Sequence, residues 1–281
     1  MTRAATIELL TSTDAAIGAF NVIHLETAEA IAAGAEEADV PVIMQISENC
    51  VKYHGSLTPI ARAAMAIAES ARVPIAVHLD HATDVDLVSE ALELGFDSVM
   101  YDGAHLSFAE NCAATAEVVR HAHERGIGVE AELGEIGGKD GAHAPGVRTD
   151  PSAAAQFVTE TGVDALAVAV GTSHAMVERT SRLDLELIAK LAVGVPVPLV
   201  LHGSSGVADD EIRRAVAAGM AKINISTHLN KVFSGSVRAT LDAHPDMVDS
   251  RKYLGPARDA FAAETARLIR LLCNPMGEDR D

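Results

Sequence analysis

The sequence predicts an α/β protein, a single closed (β/α)8 TIM barrel with additional C-terminal helices. Three observations lead there. Eight short apolar, β-branched runs alternate with longer Ala- and Glu-rich stretches of helical period. The 281 residues are enough for eight such units. No linker, low-complexity segment or block of like charge interrupts the alternation, which places one domain across residues 1–281.

The runs are, in order, IGAFNV (17–22), VPVIMQI (40–46), PIAVHLD (74–80), DSVMYD (97–102), IGVEAEL (127–133), DALAVAV (164–170), PLVLHG (198–203) and AKINIS (221–226). The helices between them carry start and stop signals. Thr58-Pro59 opens one, Asp84 caps another, and Gly95 and Gly126 stand where C-terminal caps belong. Two stretches depart from the repeat. GEIGGKDGAHAPGVRTDP, residues 134 to 151, is too polar and glycine-rich for core and reads as a binding loop or lid. Residues 227 to 272 offer more helix than a barrel needs, which suits either an oligomer surface or a helical cap.

The charge balance is 22 basic against 40 acidic residues, a formal −18. That field opposes nucleic acid and anionic membranes as partners. A phosphate site must therefore be built locally, from backbone N–H groups and helix ends. Cys50, Cys112 and Cys273 are odd in number and widely spaced, so neither a disulfide framework nor a cysteine metal motif is expected. The N-terminal MTRAATIELL has no long apolar core, and no run approaches the roughly 20 apolar residues of a membrane helix. A soluble, cytoplasmic protein follows.

Barrel enzymes keep reactive groups at the C-terminal ends of their strands. The third run ends in Asp80-His81, the fourth in Tyr101-Asp102, and the fifth in Glu130-Ala131-Glu132. The sixth leads to His174, the seventh ends in His202-Gly203, and the eighth in Asn224-Ile225-Ser226-Thr227. His81, His174 and His202 converge on one mouth, and three imidazoles with an open fourth position make a catalytic zinc site. His78, inside its strand, reads as a hydrogen-bonded structural residue. Asp80, too short and wrongly directed to be assumed a further ligand, is either an orienter of an imidazole or a general acid or base. Gly203-Ser204-Ser205-Gly206 and Asn224 to Thr227 each precede a predicted helix, where barrels place phosphate.

These residues resemble the class II, metal-dependent ketose-bisphosphate aldolases, the group that handles fructose 1,6-bisphosphate and tagatose 1,6-bisphosphate. The resemblance rests on GAFNV (18–22), VHLDH (77–81), SVMYDGA (98–104), VEAELGEIGG (129–138), TGVDALAVAVGTSH (161–174), LVLHGSSGV (199–207) and KINIST (222–227). It implies zinc held by His81, His174 and His202, and Asp80 as proton donor serving the substrate C4 hydroxyl. It also implies Asp102 and Glu132 as the acidic pair of a second cation position, divalent or monovalent. Gly203, Ser204, Ser205, Asn224, Ile225, Ser226 and Thr227 match the segments that hold dihydroxyacetone phosphate, and Asn21 and Ser47 match substrate-contacting positions. The implied reaction is metal-dependent aldol cleavage of a ketose 1,6-bisphosphate by a homo-oligomer, with fructose 1,6-bisphosphate the default. Tagatose 1,6-bisphosphate or another modified ketose 1-phosphate are alternatives.

Four positions depart from the family pattern. Ala175 replaces the glycine of GTSHG, where a β-carbon can crowd the phosphate although its backbone N–H can still serve the substrate. The loop MVERTSRLD lacks the usual Tyr and Lys-Gly pieces, Asn49 replaces a glycine, and Lys139-Asp140 stand where relatives carry a loop glutamate. A Schiff-base aldolase would need Lys222 as its nucleophile, but that leaves the converging histidines without a role, so Lys222 reads as paired to an interior carboxylate. A metal-dependent hydrolase would need paired histidines on the first strand, which has Phe20-Asn21-Val22 instead. A non-catalytic accessory subunit would not need Asp80 and all three histidines.

Overall fold

In a computed structural model, which describes residues 4–13, 15–133, 148–172, 176 and 178–274, eight parallel strands close a barrel in chain order. They are β1 (Ile17–Asn21), β2 (Val42–Ser47), β3 (Ile75–Ala82), β4 (Ser98–Tyr101), β5 (Gly128–Leu133), β6 (Ala165–Val168), β7 (Leu199–Leu201) and β8 (Met220–Ile225). Closure is made by β8 pairing with β1, from Ile17 opposite Lys222 to Phe20 opposite Ile225.

Alternation along each strand decides which core a residue joins. In β2, Val42, Met44 and Ile46 enter the outer core between sheet and helices, whereas Ile43 belongs to a separate interior cluster. β3 repeats the pattern, with Ile75, Val77 and Leu79 outside and Ala76 inside. The interior cluster also contains Ile17, Ala19, Ala165, Ala167 and Val200. Leu9 and Leu10 of α1 (Thr6–Thr11) cover it, so the N-terminal end of the barrel is plugged with hydrocarbon.

The outer ring comprises α2 (Leu25–Ala38), α3 (Glu48–His54), α4 (Thr58–Ser70), α5 (Val85–Leu94), α6 (Phe108–His123), α7 (Pro151–Thr161), α8 (Leu185–Gly194) and α9 (Asp209–Ala217). The caps lie where the sequence places them. The Asp84 carboxylate accepts from Asp86 N at the start of α5, and Gly95 ends that helix in the left-handed region at φ 82°. Gly126, just past α6, has φ 70°. The polar segment 134–151 is described only from residue 148, and its end is ordered by function as a cap: Asp150 accepts from Ser152 N and Ala153 N, and Pro151 begins α7.

The expected C-terminal surplus forms α10 (Thr227–Ala243) and α11 (Arg251–Cys273). α11 packs on α2, α9, α10 and β1, filling the last place in the ring, so α10 is the additional element. Close approach of α11 to α2 depends on Gly34, where a β-carbon would lie 2.7 Å from Ala262 O. Among the described residues no helix is long and apolar enough to cross a membrane.

Candidate active site

At the C-terminal ends of the strands a cavity of about 170 Å³ is lined by Asn21, Gln45, Ser47, Asn49, Asp80, His81, Gly203, Ser205, Asn224, Ser226 and Thr227. Seven of the strand-end positions singled out by the sequence besides Asp80 and His81 are in that lining: Asn21, Ser47, Gly203, Ser205, Asn224, Ser226 and Thr227. Ser204 and Ile225 lie away from it. Ser204 is buried and donates to Leu201 O at 3.1 Å, and the Ile225 side chain packs in the outer core. His174, Ala175, Lys139 and Asp140 fall outside the described residues.

β3 solves a directional problem. Residues two apart share a face, so His78 and Asp80 point into the barrel and His81 would point outward. The register against β4 jumps, with Leu79 opposite Val99 but Ala82 opposite Tyr101, which leaves one extra residue on β3. His81 absorbs that residue at φ 51°, a left-handed conformation that costs a non-glycine residue about 1–3 kcal/mol. The bulge turns the ring inward, so both members of the adjacent pair serve one cavity. The expectation for Asp80 is therefore corrected: the carboxylate is directed by the regular strand, and the histidine beside it is redirected. Thr83 supports the turn, its N–H and hydroxyl donating to Glu48 Oε2 at 2.6 and 3.0 Å.

Asp80 is 3% exposed and held on both oxygens. Asn21 Nδ2 donates to Oδ2 at 3.1 Å, and Asn224 Nδ2 lies 3.5 Å from Oδ1. Gln45 Nε2 donates to Asn21 Oδ1 at 2.8 Å, fixing the Asn21 amide. Burial pushes the Asp80 carboxyl up, but the positive charge of His81, then of His202 and Lys222, outweighs it and leaves the group below its ordinary range.

The two described histidines sit together, ring centroids 4.5 Å apart and inclined by 67°. His81 Nδ1 donates to Asp102 Oδ2 at 2.9 Å. His202, fully buried, donates from Nε2 to Glu130 Oε1 at 2.9 Å and has Nδ1 3.3 Å from Glu132 Oε2. Burial opposes a charge on that ring, but the hydrogen bonds to Glu130 and Glu132 raise its pKa to about 9. Donor atoms of Asp80, His81 and His202 lie within 4.8 Å of one another, as do those of His81, Asp102 and Glu132. Imidazole nitrogen and carboxylate oxygen are a donor set that suits Zn²⁺, so these residues fit a divalent cation.

Beneath this lies a layer that holds the paired Lys222. Its ammonium donates to Glu130 Oε2 at 2.6 Å. Burial pushes Glu130 up, but Lys222 and the His202 hydrogen bond hold its carboxyl far below the usual range. His78 Nδ1 is 2.6 Å from Ser98 Oγ, and burial with the Lys222 charge lowers its pKa to about 3, so the ring is neutral. The hydrogen-bonded role read for His78 and the interior pairing read for Lys222 are both seen. Gln45 was missed as a site residue, and Glu130, named at the end of its run, was given no role. Strand parity could have found them, since each stands two residues before a residue that was singled out, Ser47 and Glu132.

At the other rim, Ser226 N and His228 N both donate to Ser205 Oγ, at 3.2 and 3.1 Å. These N–H groups mark the start of α10, where an anion is favoured.

Residues 4–277 match the family described as fructose-bisphosphate aldolase class-II. A probable fructose-bisphosphate aldolase of Bacillus subtilis (strain 168) is 41% identical over 250 residues, covering 88% of each chain. The fructose-bisphosphate aldolase of Geobacillus stearothermophilus is 39% identical over 259 residues, 91% of this chain and 90% of the relative. Among solved structures, a putative fructose-1,6-bisphosphate aldolase from Coccidioides immitis superimposes with a TM-score of 0.84 at 30% identity, covering 97% of both chains. The YdjI aldolase from Escherichia coli K12 superimposes with a TM-score of 0.79 at 32% identity, covering 95% of this chain and 94% of that one.

Proposed function

The chain belongs to the class II fructose-bisphosphate aldolase family, and on that premise we propose that it cleaves fructose 1,6-bisphosphate reversibly to dihydroxyacetone phosphate and glyceraldehyde 3-phosphate. The observation that carries the reading is Asp80, a buried carboxylate held by two amides at the cavity beside the His81–His202 pair. The family implies a divalent metal, and we assign zinc to His81, His202 and, from its place in the sequence, His174. Such a cation, when bound, polarises the substrate ketone and stabilises the negative charge left as the C3–C4 bond breaks.

The remaining work falls to the chain itself. Asp80 takes the proton from the C4 hydroxyl in cleavage and returns it in condensation. Its depressed pKa keeps it ionised, the form in which it can accept that proton. Asn21, braced by Gln45, holds the carboxylate so that little motion precedes transfer. Asp102 orients the His81 ring, and with Glu132 it can hold the second cation. Gly203, Ser205, Ser226 and Thr227 line the cavity at the start of α10, the end of a helix that favours an anion, and would orient the phosphate of the three-carbon fragment there. Ser47 and Asn224 line the same cavity. The backbone of Ser204, Ile225 and Ala175 completes that reading. It takes the protein to be cytoplasmic and a homo-oligomer, and sedimentation of the purified chain checks the oligomeric state.

Zinc content of the purified protein, with release of triose phosphate from fructose 1,6-bisphosphate before and after chelation, tests the function. Cleavage that stops on chelation and returns with zinc is expected. Undiminished turnover by the metal-free protein, or inactivity of the zinc-loaded one on this substrate, would refute it. A parallel assay with tagatose 1,6-bisphosphate separates the two C4 configurations.

A further inference from the structure

We propose that Lys222 and Glu130 form a buried positioning pair that fixes the His202 ring with Nδ1 toward the cation site. The proposal rests on the reading of His202 as a cation ligand. Glu130 lies two residues before Glu132 on β5, so parity brings both carboxylates to the barrel interior. Its two oxygens have different partners: Oε2 accepts from Lys222 Nζ at 2.6 Å, and Oε1 accepts from His202 Nε2 at 2.9 Å. The ammonium thus sets the plane of the carboxylate, and the carboxylate sets the azimuth of the ring.

His78 closes the remaining side, with Nε2 3.9 Å from Glu130 Oε2. Its ring is pinned in turn by Ser98 Oγ at 2.6 Å, and Ser98 meets Thr6 Oγ1 of α1 at 2.6 Å. Lys222, His78 and His202 are all 0% exposed, so the arrangement has no solvent route to alternative geometries.

An ionised carboxylate only accepts, so the hydrogen of the His202–Glu130 bond sits on Nε2. With Nε2 turned to Glu130, whose other oxygen is held by Lys222, the nitrogen the ring presents on the side of Glu132 and the His81 ring is Nδ1. The opposite nitrogen of His81 is committed in the same way, since Nδ1 is on Asp102 and Nε2 is directed toward Asp80. Stability does not explain such a cluster. A buried ion pair is commonly no better than well-packed hydrocarbon of similar size, and the layer below it in the same barrel is hydrocarbon.

The test uses Glu130→Gln combined with Lys222→Met, which removes both charges with little change of volume. The double variant should melt close to the parent while its zinc affinity, by chelator competition, falls about 10- to 100-fold. Its cobalt form should show altered d–d absorption. A folded double variant with parental zinc affinity and cobalt spectrum would overturn the proposal. Should the variant fail to fold, histidine-labelled zinc-loaded parent protein decides by nitrogen NMR. Hydrogen on His202 Nε2 with metal on Nδ1 is expected, and the reverse assignment overturns it. A parent protein that binds no zinc would instead refute the aldolase reading, so the two failures are distinguishable.

Discussion

Near the N-terminal ends of the strands the barrel interior holds Ile17, Ala19, Ile43, Ala76 and Val200 beneath Leu9 and Leu10. Two residues further along the same strands stand Asn21, Gln45 and His78, and two beyond His78 stands Asp80. Backbone geometry is the same in both layers, and the chemistry is opposite. The lower layer is stabilised by removing hydrocarbon from water, about 1.5–3 kcal/mol for each large side chain. The upper layer gains nothing of that kind and tolerates burial only because each charged group faces a partner: Lys222 with Glu130, Glu130 with His202, His81 with Asp102. The contrast teaches that the lower layer is a platform that asks only for its volume to be filled with hydrocarbon, and the upper layer is a set of specific contacts.

Substitutions can break that division. His202→Ala should have the largest effect, with cleavage at background and metal binding weakened by more than about 100-fold, measured by metal analysis after dialysis. Asp80→Ala should lower kcat by about 100- to 10,000-fold with the metal retained. Equal metal loss in the two variants would mean that Asp80 acts as a ligand and not in proton transfer. Ile43→Ala, in the platform, should cost about 2–5 kcal/mol of stability by denaturant titration while kcat per folded molecule stays unchanged. A large fall in kcat for that variant would erase the distinction between the layers.

The smallest effect lies on the rim, where α10 is tied to α11. His228 Nε2 lies 2.6 Å from Glu264 Oε1, and Arg267 bridges Glu264 to Asp209 at 2.8 and 2.7 Å. Burial opposes it, but the hydrogen bonds from Arg267 and His228 lower the Glu264 pKa from 4.5 to about 2. A depressed carboxylate contributes stability that is complete above pH 4.5 and is lost as the pH falls toward 2. Glu264→Gln should therefore be less stable by about 1–2 kcal/mol at neutral pH, discounted for partial exposure, with the difference vanishing near pH 2. Denaturation curves at a series of pH values check this.

Much of this protein was legible along the chain. The eight runs predict the eight strands to within one or two residues at their N-terminal ends, because β-branched periodicity and the Asp84 and Gly95 caps are local properties. Reading what each run ends in collected Asp80, His81, Ser205 and Asn224 at the cavity and His202 against the His81 ring, because parallel strands all deliver their C-terminal ends to one mouth. Ser204 and Ile225 show the limit of that method, since adjacency to a strand end does not say which way a side chain turns.

The sequence by itself determined the strand count, through eight apolar runs alternating with helical stretches, and the parity of interior residues along each regular strand, which follows from a repeat of two. Only the tertiary structure decided that His81 turns inward, because the bulge exists in the register of β3 against β4 and in neither strand alone. Closure likewise decided that Lys222 on β8 meets Glu130 on β5, which are 92 residues apart. A buried charge takes whichever opposite charge the closed barrel brings within hydrogen-bond reach, and that distance is not written in either strand.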